Sequence, residues 1–256
     1  MNLKNIDIEE IKEIAVKAGN AIMRIYKKDF EIEYKDDNSP LTEADLKANE
    51  IICTSLNKYY PQIPIMSEEN KQVDYDIRKN WEFYFCIDPI DGTKEFIKRN
   101  GDFTVNIALI HKNKPVLGVV YAPAFNEIYW AKEGIGAFKN GKKLPFKKNN
   151  TPNEKLFVVT SKSHLSEETL RFIDSLETKE IKQLSRGSSL KLCMVAEGVA
   201  DIYPRMSPTM EWDTAAADAI VRVSGKMTYQ YNDNIINNKP IYYNKNNLLN
   251  PWFIVK

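Results

Sequence analysis

The segment from residue 103 to residue 140 contains three apolar runs that are joined by very short polar connections. The runs read "FTVNIALI", "PVLGVVYA" and "NEIYWAK", with "HKNK" and "PAF" between them and "NGKK" closing the series. Connections this short join antiparallel neighbours, because a crossover between parallel strands needs about a dozen residues or more. The segment is therefore predicted to be an antiparallel β-meander.

The residues before the meander predict two helices and a short strand. Apolar side chains recur at helical spacing over residues 7–28, where Asp7 and Glu10 resemble a capping box. A second helix is predicted to run from near Thr42 toward Tyr60. "IPIMSEEN" is predicted to be a short buried strand that ends in acidic residues.

The remaining patterns predict an alternation of strands and helices. "WEFYFCID" is predicted to be a strand that ends at Asp88 and presents on one face Trp81, Phe83, Phe85 and Ile87. After residue 155, the order is strand "LFVVTS", helices 166–176 and 188–198, strand "ADIYPR", helix 213–223 and strand "KMTYQ". Two layered halves are predicted, covering residues 1–148 and 149–256.

Composition excludes several classes of protein. The chain has 256 residues and a net charge of +1, so overall charge does not indicate a nucleic-acid-binding surface. No apolar run approaches the length of a membrane span, and the N-terminal residues lack the apolar core of a signal peptide. Three scattered cysteines are expected to be reduced core thiols, which suits the cytoplasm. Two histidines make a histidine-based zinc site or a Ser-His-Asp triad hard to build.

Residues 88–96, "DPIDGTKEF", combine two carboxylates with a tight turn. Asp88 follows a buried strand, Pro89 is predicted to stop that strand, and Gly92 allows a sharp change of direction. A helix is predicted to begin just after Gly92, and the N–H groups of a helix start attract phosphate. Carboxylates beside such a turn can bind hard cations, so the segment predicts a site for Mg²⁺ and phosphate.

Each acidic residue also has a purely structural explanation. Asp-Pro and Asp-Gly are common turn pairs, and Asp45 in "TEAD" could complete a capping box. Glu68 and Glu69 could belong to a solvated loop, and Asp213 could cap its helix. Taken together, the acids favour a cation site. Like charges about 4 Å apart repel by roughly 4 kcal/mol at an effective dielectric of 20, and Mg²⁺ removes that repulsion.

The motifs "DPIDGTKEFIKRNGDFTVNIALI" (88–110) and "EWDTAAADAI" (211–220) resemble those of the inositol monophosphatase superfamily. "DNSPLTEAD" (37–45) and "SEEN" (67–70) fall where that superfamily has its other acidic motifs. "RGSSLKLCMVAEGVADIYPR" (186–205) and "YNKNNLLNPWFIV" near the end are similar to its 3′(2′),5′-bisphosphate nucleotidase branch. The resemblance implies an α+β fold, the layered αβαβα sandwich of the inositol monophosphatase and fructose-1,6-bisphosphatase type. Ala217 departs from the usual glycine, and only small packing changes are expected.

The resemblance also implies two or three Mg²⁺ ions in the site. Glu68, Asp88 and the carbonyl oxygen of Ile90 would hold the first ion. Asp88, Asp91 and Asp213 would hold the second, and a third, looser ion would lie nearer Glu68. Sensitivity to Li⁺ is implied as well.

Catalytic roles follow from the same resemblance. Asp45 and Thr93 would orient and deprotonate the attacking water, with Glu68 beside them. The backbone of Gly92 and Thr93 would hold the phosphate. Substrate-binding roles are also implied for Glu68, Ile90, Asp91 and Asp213.

The second half of the chain is expected to select the substrate. "RGSSLK" places the hydroxyls of Ser188 and Ser189 at a helix start, with Lys191 one turn further along. An ordinary serine N-cap explains the same pattern equally well. With Arg205 at the end of the next strand, these residues could bind a second phosphate. His164 could contact a nucleotide, although a plain loop histidine is nearly as good an explanation.

Three functions are consistent with these patterns. The first is Mg²⁺-dependent removal of the 3′-phosphate of adenosine 3′,5′-bisphosphate, which yields AMP and serves sulphur assimilation or nucleotide recycling. The second is a phosphatase acting on inositol monophosphate or another sugar phosphate. The third is a nucleotide sensor without activity, which the complete set of acids disfavours. A monomer or homodimer is expected in the cytoplasm, with no nucleic-acid partner and at most weak peripheral contact with a membrane.

Overall fold

The computed structural model describes residues 3–35, 40–146, 155–162, 165–178, 180–232 and 235–256. After a short 3-10 turn at Leu3–Asn5, the helices are α1 (Ile8–Tyr26), α2 (Glu43–Tyr59), α3 (Tyr75–Arg78), α4 (Thr93–Ile97), α5 (Glu167–Asp174), α6 (Leu190–Glu197) and α7 (Glu211–Val223). The first nine strands are β1 (Ile32–Tyr34), β2 (Pro40–Thr42), β3 (Ile65–Ser67), β4 (Phe83–Asp91), β5 (Thr104–His111), β6 (Lys114–Ala122), β7 (Glu127–Lys132), β8 (Gly136–Lys139) and β9 (Lys142–Lys143). The remaining strands are β10 (Leu156–Ser161), β11 (Ile181–Arg186), β12 (Tyr203–Arg205), β13 (Thr228–Asn232), β14 (Ile235–Pro240) and β15 (Phe253–Val255).

The predicted meander forms most of a seven-stranded sheet with strand order β3-β4-β5-β6-β7-β8-β9. Strands β4 to β9 pair with antiparallel neighbours, whereas β3 pairs with β4 in parallel. The sequence predicted that β4 ends at Asp88. The prediction is wrong, because β4 continues to Asp91. Its register against β5 shifts between those two residues, and Pro89 lies inside this irregular stretch, where no regular ladder bond is required of it.

The apolar runs of the sheet are covered on both faces. Phe83, Phe85 and Ile87 pack on the side of α1 and α2, and Tyr84 and Cys86 pack on the opposite side. Trp81 was predicted to share the face of Phe83, and this is wrong. Trp81 precedes β4, and its ring centroid lies 5.6 Å from that of Tyr84 on the other face. Burial on two sides explains why these strands read as nearly continuous apolar runs.

Helices α1 and α2 form the outer layer on the first face, as their apolar periodicity predicted. The N-cap of α1 is Asp7, whose carboxylate accepts the N–H of Glu9 at 2.9 Å. A capping box would also require the Glu10 carboxylate to accept the backbone N–H of Asp7, and the described N-cap lacks this bond. The Glu10 carboxylate instead accepts the Tyr60 hydroxyl at 2.5 Å. The start of α1 is thereby tied to the end of α2.

Helix α7 lies directly on the second face of the sheet. A Cβ atom added to Gly118 of β6 would lie 2.1 Å from the backbone oxygen of Ala216, so only glycine permits this approach. The alanine-rich sequence of α7 serves the same purpose, since small side chains let a helix backbone come close to a sheet. Ala217 is fully buried in this contact. The small packing changes expected from alanine in place of the usual glycine stay a prediction.

The second half adds a further sheet and an outer helix. A four-stranded sheet has the order β12-β15-β13-β14, and β10 pairs in parallel with β11 beside it. Helices α6 and α7 lie between the two sheet layers, and α5 packs on the outer side through Phe172 and Ile173. The layers are therefore α, β, α, β and α, which confirms the predicted fold. The division at residues 148 and 149 stays a prediction and falls outside the described residues.

Candidate active site

An open cavity of about 730 Å³ lies where the ends of β3 and β4 meet the starts of α6 and α7. Its lining includes the segment from Asp88 to Glu95 except Pro89, the start of α7, and residues of the second sheet. Most residues that the sequence singled out therefore face one space. Two of the predicted site residues differ: Asp45 does not line this cavity, and His164 lies outside the described residues.

Three carboxylates converge in this cavity. Glu68 follows β3, Asp88 lies in β4, and Asp213 is in the first turn of α7; one ligand oxygen from each lies within 4.8 Å of the others. Asp213 also performs the capping role considered above, because its Oδ2 accepts the N–H of Met210 at 2.8 Å. The structural explanation of this acid is therefore correct, and its role as a metal ligand stays a prediction.

The carboxylates are arranged for a cation. Burial raises the pKa of Asp88 and of Asp213 well above the usual range, and neighbouring negative charges raise them further. Burial likewise raises the pKa of Glu68, against the lowering effect of Lys35. Asp88 is 1% exposed, and its Oδ1 accepts no hydrogen bond from any described residue. A buried oxygen of this kind, beside two further carboxylates, fits a hard cation such as Mg²⁺.

Asp91 is held by the second half of the chain. Its Oδ2 lies 2.7 Å from Ser188 Oγ, 2.8 Å from Ser189 Oγ and 2.6 Å from the N–H of Ser189, which donates to it. The two serines that were expected to bind a phosphate therefore fix a carboxylate. The three donors all contact Oδ2, so Oδ1 is the Asp91 oxygen that could bind a metal ion. The metal role of Asp91 stays a prediction.

Two polar residues of β5 complete this arrangement and were not predicted from the sequence. Thr104 Oγ1 lies 2.6 Å from Ser188 Oγ, and Asn106 Nδ2 donates to Ser189 Oγ at 2.7 Å. Both side chains are fully buried. Their polar character inside the apolar run "FTVNIALI" was the available signal, because buried polar side chains need partners.

Asp45 caps helix α2 and also contacts Thr93 of the site. Its Oδ2 accepts the N–H of Thr42 at 2.8 Å and the Thr42 hydroxyl at 2.6 Å, which completes the capping box of α2. Its Oδ1 lies 3.2 Å from the hydroxyl of Thr93, and that hydroxyl is also 3.2 Å from the carbonyl oxygen of Ile90. Burial raises the pKa of Asp45. The structure thus joins three predicted site residues from two motifs.

Lys35 is a further site residue that no sequence pattern indicated. Its ammonium group lies 2.8 Å from Glu68 and 2.7 Å from Glu69. Burial lowers the pKa of Lys35, but the charges of Glu68 and Glu69 and their hydrogen bonds raise it by more. The side chain is therefore positively charged. It compensates part of the negative charge at the Glu68 end of the cluster.

Part of the cavity wall is cationic, because Lys191 and Arg205 line it. Lys191 is buried in α6, donates to the carbonyl oxygen of Ser188 at 2.6 Å and lies 5.6 Å from the centre of the Tyr203 ring. Burial lowers the pKa of Lys191 to about 8. Arg205 donates to the carbonyl oxygen of Pro208 at 3.1 Å, while its buried Nε has no hydrogen-bond partner within the described ranges.

Gly92 provides the turn that the sequence predicted. Its φ of 93° lies in the left-handed region, and α4 begins at the next residue, Thr93. A Cβ atom at position 92 would lie 3.0 Å from the carbonyl oxygen of Asp102, so glycine is also favoured by the available space. Both Gly92 and Thr93 line the cavity next to Asp91.

The layered fold, the carboxylate cluster and the cationic wall are together typical of metal-dependent phosphatases. A model of the inositol monophosphatase family matches residues 3–251, and the chain belongs to this family. A 3′(2′),5′-bisphosphate nucleotidase CysQ of Salmonella typhimurium is 42% identical over 254 residues, which cover 97% of this chain and 98% of that protein.

Solved structures agree with this assignment. The crystal structure of CysQ from Bacteroides thetaiotaomicron has a TM-score of 0.85 and 43% identity, covering 97% of this chain and 96% of that one. An IMPase from Thermotoga maritima has a TM-score of 0.73 and 28% identity, covering 95% of this chain and 89% of that one. In the described part of the chain, no helix has the length and apolar character required to cross a bilayer.

Proposed function

We propose that this protein is a Mg²⁺-dependent phosphatase that removes the 3′-phosphate of adenosine 3′,5′-bisphosphate and yields AMP and inorganic phosphate. One observation carries this proposal: the carboxylate cluster and the cations Lys191 and Arg205 line the same cavity. A cation held by the carboxylates serves one phosphate, and Lys191 and Arg205 offer positive charge to a second. The names of the relatives that are 42% and 43% identical support the same substrate class.

We propose the three converging carboxylates of Glu68, Asp88 and Asp213 as ligands of Mg²⁺, and their convergence supports this assignment. The resemblance to the family adds Asp91 and the carbonyl oxygen of Ile90 as further proposed ligands. We propose two to three ions per site. When bound, Mg²⁺ neutralises phosphate charge and lowers the pKa of a coordinated water.

Asp45 and Thr93 are suited to orient the attacking water. A hydroxyl has one proton, and Asp45 Oδ1 lies at 3.2 Å to accept it. Once Thr93 donates to Asp45, the Thr93 oxygen can accept a hydrogen bond from a water in the cavity. The pair thereby holds the water with one lone pair directed at the phosphate and assists removal of its proton.

Replacing the Thr93 hydroxyl should therefore slow the reaction while leaving cation binding intact. Thr93→Val keeps the shape of the side chain but removes the hydroxyl, and we expect kcat to fall by roughly 10²-fold or more. Thr93→Ser retains the hydroxyl and should keep most of the activity. Steady-state kinetics and Mg²⁺ titration calorimetry of both variants test this, and equal activity of the two variants would contradict the role.

The second phosphate would lie near Lys191 and Arg205. Lys191 is positively charged below a pH of about 8, and Arg205 brings an unsatisfied buried N–H. We propose that this wall binds the 5′-phosphate, with Ser188 close by. A substrate contact by His164 stays a prediction for a residue outside the described ranges.

A panel of substrates tests the proposal directly. Phosphate release should be at least about tenfold more efficient with adenosine 3′,5′-bisphosphate than with inositol 1-phosphate, because the monophosphate lacks a second phosphate and one charge-assisted contact to phosphate is worth ~1.5–3 kcal/mol. Fructose 1,6-bisphosphate, which carries two phosphates on a sugar, is the second comparison substrate. Excess EDTA should abolish release, and Li⁺ and Ca²⁺ should inhibit it. Preference for a sugar phosphate would establish the alternative activity, binding without turnover would establish a sensor, and full activity in EDTA would exclude the metal-dependent reaction.

A cytoplasmic location, weak peripheral membrane contact and a monomeric or homodimeric state remain predictions. The proposed small-molecule substrate requires none of them. Gel filtration with light scattering would determine the oligomeric state.

A further inference from the structure

Asp102 is a fully buried carboxylate just before β5, and the sequence indicated no role for it. Its oxygens accept hydrogen bonds from Lys162 at 2.5 Å, from Arg186 at 2.9 Å and from the N–H of Gly187 at 3.0 Å. Lys162 follows β10, and Arg186 ends β11. One carboxylate from the first half therefore holds the ends of two parallel strands from the second half.

The contacts of Asp102 with these strands are unusually close. A Cβ atom on Gly187 would lie 2.8 Å from the Cβ of Asp102, and a Cβ atom on Gly92 would lie 3.0 Å from the Asp102 carbonyl oxygen. Asp102 thus contacts the turn at Gly92 and the turn at Gly187, and both turns lead into the cavity. One carries Asp91 and Thr93, and the other leads to Ser188 and Ser189.

The segment beyond Gly187 requires external support. Ser188 has a φ of 56°, in the left-handed region that is unfavourable for residues other than glycine, and such a conformation persists only where surrounding contacts maintain it. This segment supplies the hydroxyl of Ser188 and the N–H of Ser189 to Asp91. It also carries the carbonyl oxygen to which Lys191 donates.

We propose that Asp102 is a positioning residue that holds the Gly187–Ser189 turn against Asp91. By fixing this turn, Asp102 sets the orientation of Asp91 beside the carboxylate cluster and the separation between that cluster and Lys191. The effect on catalysis rests on the proposed function, because this separation must match the two phosphates of one substrate. The effect on Asp91 does not depend on the identity of the substrate.

The charge of Asp102 is suited to this role. Burial alone would raise the pKa of Asp102, but the hydrogen bonds from Lys162 and Gly187 and the charge of Arg186 together lower it. The carboxylate is therefore ionised and accepts from all three donors. An asparagine has one acceptor oxygen, so Asp102→Asn would place an N–H₂ group against at least one of these donors.

The test compares Asp102→Asn with Asp218→Asn. Asp218 is equally buried, is paired with Arg222 at 2.8 Å, and accepts the Tyr243 hydroxyl at 2.9 Å, so Asp218→Asn should lower the melting temperature by removing the buried charge beside Arg222. We expect Asp102→Asn to weaken Mg²⁺ binding at least about threefold in titration calorimetry and to reduce kcat/KM for the bisphosphate about tenfold, which corresponds to ~1.4 kcal/mol. Asp218→Asn should leave both quantities unchanged.

Two results would overturn the proposal. One is wild-type Mg²⁺ affinity and wild-type kcat/KM in Asp102→Asn, and the other is equal losses in both variants at matched melting temperature. Because the Mg²⁺ titration needs no substrate, weakened cation binding would support the role of Asp102 even if the proposed substrate were wrong. If Asp102→Asn fails to fold, the double variant Lys162→Gln and Arg186→Gln replaces partly exposed cations, and unchanged Mg²⁺ affinity there would also overturn the proposal.

Discussion

Asp88→Asn should abolish phosphate release and at the same time raise the melting temperature of the cation-free protein. Asp88 has a buried oxygen with no hydrogen-bond partner among the described residues and faces the carboxylates of Glu68 and Asp213. An uncompensated buried polar group costs about 1–3 kcal/mol, and more when it is charged. For a chain of this length, each kcal/mol gained corresponds to roughly 2–4 °C in melting temperature.

The stability gain of Asp88→Asn should depend on pH with a definite sign. Burial and the surrounding acids raise the pKa of Asp88 in the folded state above its value in the unfolded chain. The cation-free wild type should therefore lose stability as pH rises from about 4 through the raised pKa. The advantage of the variant should be smallest near pH 4 and should grow toward neutral pH.

Calorimetry with and without Mg²⁺ provides the control. Saturating Mg²⁺ should raise the melting temperature of the wild type, because a ligand that binds only the folded state stabilises it, and should have little effect on Asp88→Asn. Mg²⁺ binding of wild-type stoichiometry and affinity in the variant would show that Asp88 is not the shared ligand. A lower melting temperature in the cation-free variant would contradict the electrostatic account.

Lys191→Met should selectively impair turnover of the bisphosphate. Methionine has a similar length and remains compatible with the buried site, but it removes a positive charge from the cavity that the carboxylate cluster lines. A charge-assisted contact to phosphate is worth ~1.5–3 kcal/mol, so kcat/KM for adenosine 3′,5′-bisphosphate should fall roughly ten- to a hundredfold. Hydrolysis of inositol monophosphate, if it is measurable, should change little.

The pH profile separates the charge of Lys191 from a packing effect. The pKa of Lys191 is lowered to about 8 by its burial, so wild-type kcat/KM for the bisphosphate should decline above that pH as the ammonium loses its proton. Lys191→Met should lack this decline. Arg205→Gln is the companion variant, and it should reduce bisphosphate turnover without removing the decline. Equal losses on both substrates would assign Lys191 to the fold or to the cation site.

Several features of the site could be predicted because their signals are local. Thr42 and Asp45 form the expected capping box, Gly92 has the expected positive φ, and α4 begins where the motif indicated. In contrast, β11, with the sequence "IKQLSR", has no alternating apolar pattern. It becomes a strand because it pairs with β10 along six residues while much of its length stays exposed.

The sequence by itself determined the strands of the meander, and the resemblance of its motifs to those of the inositol monophosphatase superfamily implied the layered fold and the carboxylates that converge in the cavity. Apolar periodicity, glycine turns and caps depend on neighbouring residues, so they can be recognised in a single chain. Only the tertiary structure decided that Ser188 and Ser189 hold Asp91, that Lys35 compensates Glu68 and that Asp102 supports the serine turn. The two serines lie 97 and 98 residues from Asp91 along the chain, and such contacts form only when separate layers pack together.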